Sequence, residues 1–333
     1  MAKVTIEDIS RQTGLSRGTV SRALNDRPDI SAETKQRVLD ACRRLKYSPS
    51  HAARSLATGR SFALAVLVDD LHSVLIASFL RGVLARAQSA RYAVHIAELG
   101  SDPQQQVDAV RALVTERIDS VLVATAISLE LTSVLREAIE QRPLVACSSL
   151  DGLPGDLLIP DQKESGRLVA RYLLRNGNRE LLYVHTPYPA ADERLAGFHE
   201  VCLENGVPPT TVTIELAAEG PINQNAEKLI LARLEHVRAI AAADDYLALA
   251  LMTLCWQHGR KPGHDIAIIG QGNERLSTRI RPTLSTVDFS GEEIGRRAAD
   301  IALQRLSKSR MDAPQTAYVA PILIARESTG NLD

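Results

Sequence analysis

Between Ser16 and Leu24 the chain reads Ser-Arg-Gly-Thr-Val-Ser-Arg-Ala-Leu, which sets hydroxyls and arginines beside a short apolar stripe of Val20, Ala23 and Leu24. On a helix that stripe faces inward, and Arg17, Gly18, Thr19, Ser21 and Arg22 lie on or beside the outer face. Hydroxyls of this kind bond phosphate oxygens, and an arginine pairs bidentately with guanine, so the chemistry on offer is readout of a DNA major groove. A lone helix of this composition is more often an ordinary solvated one, so its neighbours must decide.

Thr5 followed by Asp8 makes a capping-box start, Ile6, Ile9 and Ser10 follow helical spacing, and Gly14 accepts the turn. Two residues later Ser16 opens the second helix, with Thr19 at its N3 position. Two short helices joined by a glycine turn form a helix-turn-helix signature. Ser31 to Thr34 then caps a third helix, whose expected buried stripe is Val38, Leu39, Ala41, Cys42 and Leu45. Tyr47-Ser48-Pro49-Ser50 punctuates the chain before a last short alanine-rich segment, His51 to Ala57, which contains Leu56.

Charge supports a nucleic-acid partner at this end alone. Residues 1–60 carry 12 Lys and Arg against 6 Asp and Glu, while the whole chain of 333 residues has a net charge of −1, so the remainder is acidic. A basic head on an acidic body binds polyanions at one end and resists non-specific adhesion at the other. The four cysteines, Cys42, Cys147, Cys202 and Cys255, show no paired spacing for a metal or disulfide and fit a reducing compartment. No apolar run approaches the ~18 residues of a membrane span, and the N-terminus has no apolar leader. The expectation is a cytoplasmic protein without membrane contact, which sets aside a secreted binding protein.

From Phe62 onward, short apolar runs alternate with helical patterns. Ala63–Val68, Ala93–Ala97, Ser120–Ala124 and Leu144–Cys147 predict buried strands, separated by helices near Leu75–Ala90, Gln104–Glu116 and Leu129–Glu140. A second series begins near residue 161, with strands at Leu181–Val184, Val212–Ile214, Ala239–Ala242 and Ala267–Ile269. Helices near Glu164–Asn176, Glu193–Asn205, Asn225–Glu235 and Tyr246–His258 lie between them. Continuous apolar strands alternating with helices predict two doubly wound parallel-sheet subdomains, with a ligand cleft at the strand carboxyl ends. Gly270-Gln271-Gly272-Asn273 is read as a tight strand exit and not a dinucleotide loop, because Arg275 stands where a third glycine is needed. No Ser/His/Asp or Cys/His arrangement has a recognisable spacing, so no enzyme activity, metal or cofactor is expected.

The run Val4-Thr5-Ile6-x-Asp8-Ile9, Gly14-Leu15-Ser16, Thr19-Val20-Ser21-Arg22-x-Leu24-Asn25 and Tyr47-Ser48-Pro49 resembles the lactose/galactose-repressor (LacI/GalR) family of bacterial transcription factors. The likeness extends more loosely to Arg326-Glu327-Ser328-Thr329. It implies an all-α helix-turn-helix domain at 1–48 and a hinge helix with linker at 49–61. An effector-binding body of two periplasmic-binding-protein-type subdomains would follow, at 62–160 with about 288–318, and at 161–287 with about 319–333. Arg17, Gly18 and Arg22 match base-reading positions. Thr5, Ser16, Thr19, Ser21, Asn25, Thr34 and Tyr47 match phosphate-contacting ones. Leu56 matches the leucine that wedges into the minor groove. Gly18 has no side chain to bond a base edge, so Arg17 and Arg22 carry more of the readout.

For the effector the resemblance implies Arg194 as a grip on hydroxyls or a carboxylate, Asp161 as a cleft acid, and the pair Asp244-Asp245. Of that pair the first is expected to face ligand and the second to cap a helix. Ser73 and Ile76 stand where the family often carries aromatic residues, and Ser148 where it often has an aspartate. Gln271 and Asn273 flank a glycine at a usual sugar-clamping position. Tyr188 and Tyr246 are then the expected stacking partners in a chain with 4% aromatic residues. The implied protein is a homodimeric repressor on a pseudo-palindromic double-stranded operator, controlled by a sugar or sugar phosphate. Two rivals stay open: a body that senses a protein partner, and an enzyme with a fused DNA-binding head.

Overall fold

The computed structural model describes residues 4–24, 29–47, 59–100, 102–115, 118–125, 127–139, 142–148, 153–215 and 222–330. The chain divides into two compact units, 1–62 and 63–333. No helix among the described residues is long and apolar enough to cross a membrane.

The first unit holds α1 (Ile6–Thr13), α2 (Arg17–Leu24) and α3 (Ala32–Leu45) around Ile9, Val20, Ala23, Val38, Ala41 and Cys42. Each start is chemically marked. Thr5 N–H and Oγ1–H both donate to Asp8 Oδ2 at 2.9 Å, and the Oγ atoms of Ser16 and Ser31 accept from Thr19 N at 3.1 Å and Thr34 N at 3.2 Å. These side chains satisfy backbone N–H groups that a helix start otherwise leaves orphaned. Gly14 closes α1 at φ 67°, a conformation glycine adopts without cost. Leu39 departs from the expected stripe and is exposed, because the buried set follows 38, 41, 42 and 45, and residue 39 lies a further 100° around the helix.

The second unit contains two parallel sheets. The first has six strands in the order β11 (Thr316–Val319), β5 (Asp156–Pro160), β4 (Leu144–Ala146), β3 (Ser120–Val123), β1 (Ala63–Val68) and β2 (Ala93–Glu98). All six residues of β1 are buried, as a strand covered on both faces requires. Leu64, Val66 and Val68 enter one core cluster, and Ala63, Ala65 and Leu67 the other. The second sheet has the order β7 (Thr210–Thr213), β6 (Leu181–His185), β8 (Ala239–Ala242) and β9 (Ala267–Ile269), again parallel and covered on both faces. A two-stranded antiparallel ribbon pairs β10 (Thr286–Asp288) with β12 (Ile322–Ile324).

Helices α4 (Val74–Ser89), α5 (Pro103–Thr115) and α6 (Leu129–Ile139) connect the first sheet. Helices α7 (Gln162–Arg175), α8 (Pro189–Glu204), α9 (Gln224–Leu234) and α10 (Asp245–Gln257) serve the second. The helix α11 (Gly291–Ser307) was not among the expected elements, nor were β5, β10, β11 and β12. The inward face of α11 includes Gly295, Ala298, Ala299 and Ala302, small residues in place of the large apolar ones that mark most core-facing helices. Those small residues let it lie hard against α4: a Cβ on Gly82 would overlap the Glu292 carbonyl, and one on Gly295 the Phe79 carbonyl. The second sheet repeats the device. A Cβ on Gly166 of α7 would overlap the Arg194 carbonyl of α8, and one on Gly197 the Lys163 carbonyl. Helix α8 starts four residues before the expected position because Pro189 is tolerated in a first turn, where its missing N–H costs nothing.

Candidate functional site

In the head, the outer face of α2 is open. Gly18 is exposed, and the Arg17 and Arg22 side chains are 67% and 53% exposed. Arg17 Nη1 lies 3.5 Å from Glu7 Oε1, and Arg22 Nη1 lies 3.1 Å from Asp29 Oδ2. Both are surface ion pairs of small net worth, screened by salt and readily exchanged for phosphate or base oxygens. The hydroxyls of Thr5, Ser16 and Thr34 sit in the caps described above, at helix N-termini where the backbone dipole attracts phosphate. Thr19 Oγ1 is 2.9 Å from Ser16 Oγ, so these two hydroxyls are side by side. Ser21 is half-buried on α2, and Tyr47 packs half-buried against the three-helix core, where burial raises its phenol above the ordinary value. Asn25 and Leu56 fall outside the described residues, as does most of the expected hinge segment.

In the body, strand carboxyl ends and the helix starts that follow them gather most of the remaining residues. Arg194, on the first turns of α8, is only 6% exposed. Its Nε donates to Gln162 Oε1 at 2.7 Å, and its Nη1 to Tyr188 Oη at 3.2 Å and to the Ala243 carbonyl at 2.5 Å. The guanidinium also lies 4.5 Å from the centre of the Phe289 ring and 5.8 Å from that of Tyr188. No carboxylate pairs with it among the described residues, so the bland expectation of a surface salt bridge does not describe it. Nη2 makes no hydrogen bond among them and is the donor left for a ligand.

Asp161 and Asp244 are N-caps, accepting from Glu164 N and Leu247 N at 2.8 Å. This corrects the expected division of labour in the acid pair, since the cap is Asp244 and its neighbour is the buried member. Asp245 is fully buried, and its carboxylate accepts from Glu274 N at 2.7 Å, Ser277 Oγ at 2.7 Å and Thr286 Oγ1 at 2.6 Å. Burial raises its pKa above the ordinary carboxylate value despite those three bonds. Gly270 has to be glycine here, because a Cβ would overlap Asp245 Oδ1.

Gln271 is spent internally. Its amide donates to Tyr183 Oη and the Ala242 carbonyl at 3.2 and 3.1 Å and accepts from Ser165 Oγ at 2.5 Å. Asn273, at φ 51°, donates to Asp288 Oδ2 at 2.9 Å and accepts from Arg326 Nη2 at 2.7 Å. Ser73 caps α4 by accepting from Ile76 N at 3.4 Å, while Ile76 is buried in the core under the first sheet. Ser148 donates to the Thr125 carbonyl. Tyr246 is exposed, and its hydroxyl donates to Glu274 Oε2 at 3.3 Å. Burial and then the Glu274, Asp244 and Asp70 carboxylates raise the Tyr246 phenol, so a charge on the loop after β1 is felt at the start of α10.

The structure thus groups Tyr188, Arg194 and the capping acids with Tyr246, leaves Tyr246 as the open aromatic surface, and turns Gln271 and Ile76 inward. Gln162, Glu274 and Phe289 were missed at the sequence level. Each touches a residue 28 to 95 positions away, and only their place directly after a strand hinted at them.

Comparison with known proteins decides the family. Residues 5–50 match the family model of bacterial regulatory proteins of the lacI family, and residues 170–329 match a periplasmic binding protein-like domain. The chain is 26% identical over 339 aligned residues to the HTH-type transcriptional repressor PurR of Vibrio parahaemolyticus, covering 99% of both chains. The chain belongs to the LacI/GalR family. It is a DNA-binding transcriptional regulator and not an enzyme. Among solved structures, the lac repressor dimer bound to operator and the anti-inducer ONPF shares the fold at a TM-score of 0.76 and 22% identity, over 98% of this chain and 99% of that one. The transcriptional regulator CelR in complex with cellobiose shares it at 0.70 and 23%, over 98% and 100%.

Proposed function

We propose that this regulator represses transcription as a homodimer on a pseudo-palindromic double-stranded operator, and that a sugar or sugar phosphate in the cleft of the body controls it. The reading of DNA rests on α2, which buries Val20 and Ala23 and leaves Arg17 and Arg22 exposed with only weak surface partners. Such a helix suits a major groove, with Arg17 and Arg22 reading bases and Thr5, Ser16, Thr19, Ser21, Thr34 and Tyr47 on phosphates. Asn25 and Leu56 join this assignment from the sequence alone.

The effector site is assigned to Arg194, Tyr188, Asp161, Asp244 and Tyr246, with Ser73, Ser148 and Asn273 at the margin. Arg194 carries the assignment. A guanidinium this buried, held on three sides and stacked on an aromatic ring, keeps one nitrogen, Nη2, oriented and unspent among the described residues. Effector binding that favours one arrangement of the subdomains over the other would change operator affinity by the ~1–3 kcal/mol usual for allosteric coupling.

The test is operator release measured by fluorescence anisotropy during titration with sugars and their phosphate esters. Wild type should release, and Arg194→Ala should hold operator at unchanged affinity regardless of ligand. Release by the variant at the same concentrations would remove Arg194 from the site.

A further inference from the structure

At the end of the second sheet opposite Arg194, the connections that lead into β6, β8 and β9 surround a cavity of about 590 Å³. A hollow of that volume has room for a small metabolite. Arg179 and Glu180 line it just before β6, Arg238 just before β8, and His264 and Asp265 just before β9, while Asn176 comes from the end of α7. None of these residues belongs to the site assigned above, whose Arg194 bonds the Ala243 carbonyl beyond the far end of β8.

One atom of this cavity has no internal use. Asn176 Nδ2 is buried and finds no hydrogen-bond partner among the described residues. A buried donor without an acceptor has given up its water for nothing, so an orphan on a cavity wall marks a place for an acceptor from outside. A water would suffice for one amide, but the charges around it call for more.

Those charges are unevenly engaged. Asp265 is spent, with Oδ2 accepting from Lys261 N and Oδ1 beside His264 Nδ1, both at 2.8 Å. Glu180 Oε2 lies 3.7 Å from Arg238 Nε, a contact between two side chains each more than half exposed and so readily exchanged. Arg179 uses only Nη1, on the Leu174 and Asn178 carbonyls at 3.1 and 3.4 Å, and its Nε and Nη2 make no hydrogen bond among the described residues. Carbonyls at the end of α7 would repel an anion, but Asn178 Nδ2 and Arg179 Nη1 already donate to those of Leu173 and Leu174. The unspent side-chain groups are therefore mainly donors, carried by two cations and one amide.

We propose that this cavity is a second ligand site, built for a small metabolite with an anionic oxygen group, a phosphate ester or a carboxylate. Arg179 and Arg238 hold its charge, since a guanidinium offers the fork that matches either group, and Asn176 Nδ2 donates to a further oxygen. The ligand takes Arg238 from Glu180, so removing the Glu180 charge strengthens binding. Strand β8 runs from Arg238 to Ala243, and the ligand therefore sits at one end of a strand whose other end anchors Arg194. The body gains an input separate from its cleft.

Isothermal titration calorimetry on the full-length protein tests this, with glucose 6-phosphate as the phosphate probe and succinate as the carboxylate probe. The Arg194→Ala background removes the cleft from the measurement, and melting curves check that each variant is folded. The expected result is saturable binding of one or both probes in that background, weakened at least about tenfold by Arg179→Gln combined with Arg238→Gln. Glu180→Gln should tighten it, and Asn176→Asp should weaken it by adding a like charge. The tighter probe identifies the source of the anionic group. No saturable binding of either probe at millimolar concentration overturns the proposal, and so does binding that the paired arginine substitution leaves unchanged. Binding present in wild type and lost in Arg194→Ala alone belongs to the cleft and likewise overturns the second site.

Discussion

Arg22 in the head and Arg194 in the body are both assigned to recognition, yet the fold treats them differently. Arg22 has a 53% exposed side chain and one carboxylate at 3.1 Å, itself equally exposed. Arg194 is 6% exposed and is fixed by an amide, a phenol, a carbonyl and two aromatic rings. The head keeps its recognition groups outside a core that is complete without them, so binding and folding separate. The body builds recognition groups into its packing, so a change that alters ligand response also alters stability.

The sharpest way to break that contrast is Arg194→Ala. It leaves Gln162, Tyr188 and the Ala243 carbonyl without their donor and opens space beside Phe289, so the body should lose about 2–4 kcal/mol in denaturant unfolding. A variant as stable as wild type would mean that Arg194 is a surface group after all. Asp245→Asn comes next. The amide cannot accept from Glu274 N, Ser277 Oγ and Thr286 Oγ1 together, and the mismatch should cost about 1–3 kcal/mol. An unchanged unfolding midpoint would show that the network tolerates a donor. On the other side of the contrast, Arg22→Ala should leave unfolding within about 0.5 kcal/mol. The same change should relax base preference at one operator position by about 1–3 kcal/mol. Equal weakening on random DNA would assign Arg22 to phosphate.

The smallest effect is a slope with pH. Burial holds the imidazoles of His185, at the end of β6, and His199, on α8 itself, below their ordinary value, with Asp192 partly opposing this at His185. The unfolded chain therefore takes up protons first as pH falls, so their contribution is complete above about pH 6.5 and is lost below it. The body should melt at a lower temperature at pH 5 than at pH 7, and His185→Gln should flatten the difference. Asp245, whose carboxyl is raised, gives the opposite slope, so the Asp245→Asn background isolates the histidines. A slope unaffected by His185→Gln would assign it to other groups.

The same contrast explains what was readable from sequence. Thr5 with Asp8, Ser16 with Thr19 and Ser31 with Thr34 act over three residues, so their chemistry is visible in a short window. Asp245 draws on Glu274, Ser277 and Thr286, 29 to 41 residues away, and nothing near it in the chain distinguishes a buried acid from a capping one. The expected cap in the Asp244-Asp245 pair falls on the wrong acid for that reason. Arg326 was visible only as a motif residue, whereas the fold uses it to hold Asn273 and the Leu284 carbonyl, both more than 40 positions distant. Helix α11 has a clearer apolar period than α4, α8 or α10, yet it escapes a reading that looks for large apolar residues, because much of its inward face is glycine and alanine.

The interlocked helix pairs, Gly82 with Gly295 and Gly166 with Gly197, bear on time as well as space. Where backbone meets backbone with no room for a methyl group, one helix cannot swing out alone without parting a whole seam. Amide protons along α4 and α11, and along α7 and α8, should therefore exchange with solvent on the slow clock of global opening. Those in the strand-exit loops should exchange early and independently. The protein would then keep two rates of memory, a short one where a ligand is sampled and a long one in the helices behind it.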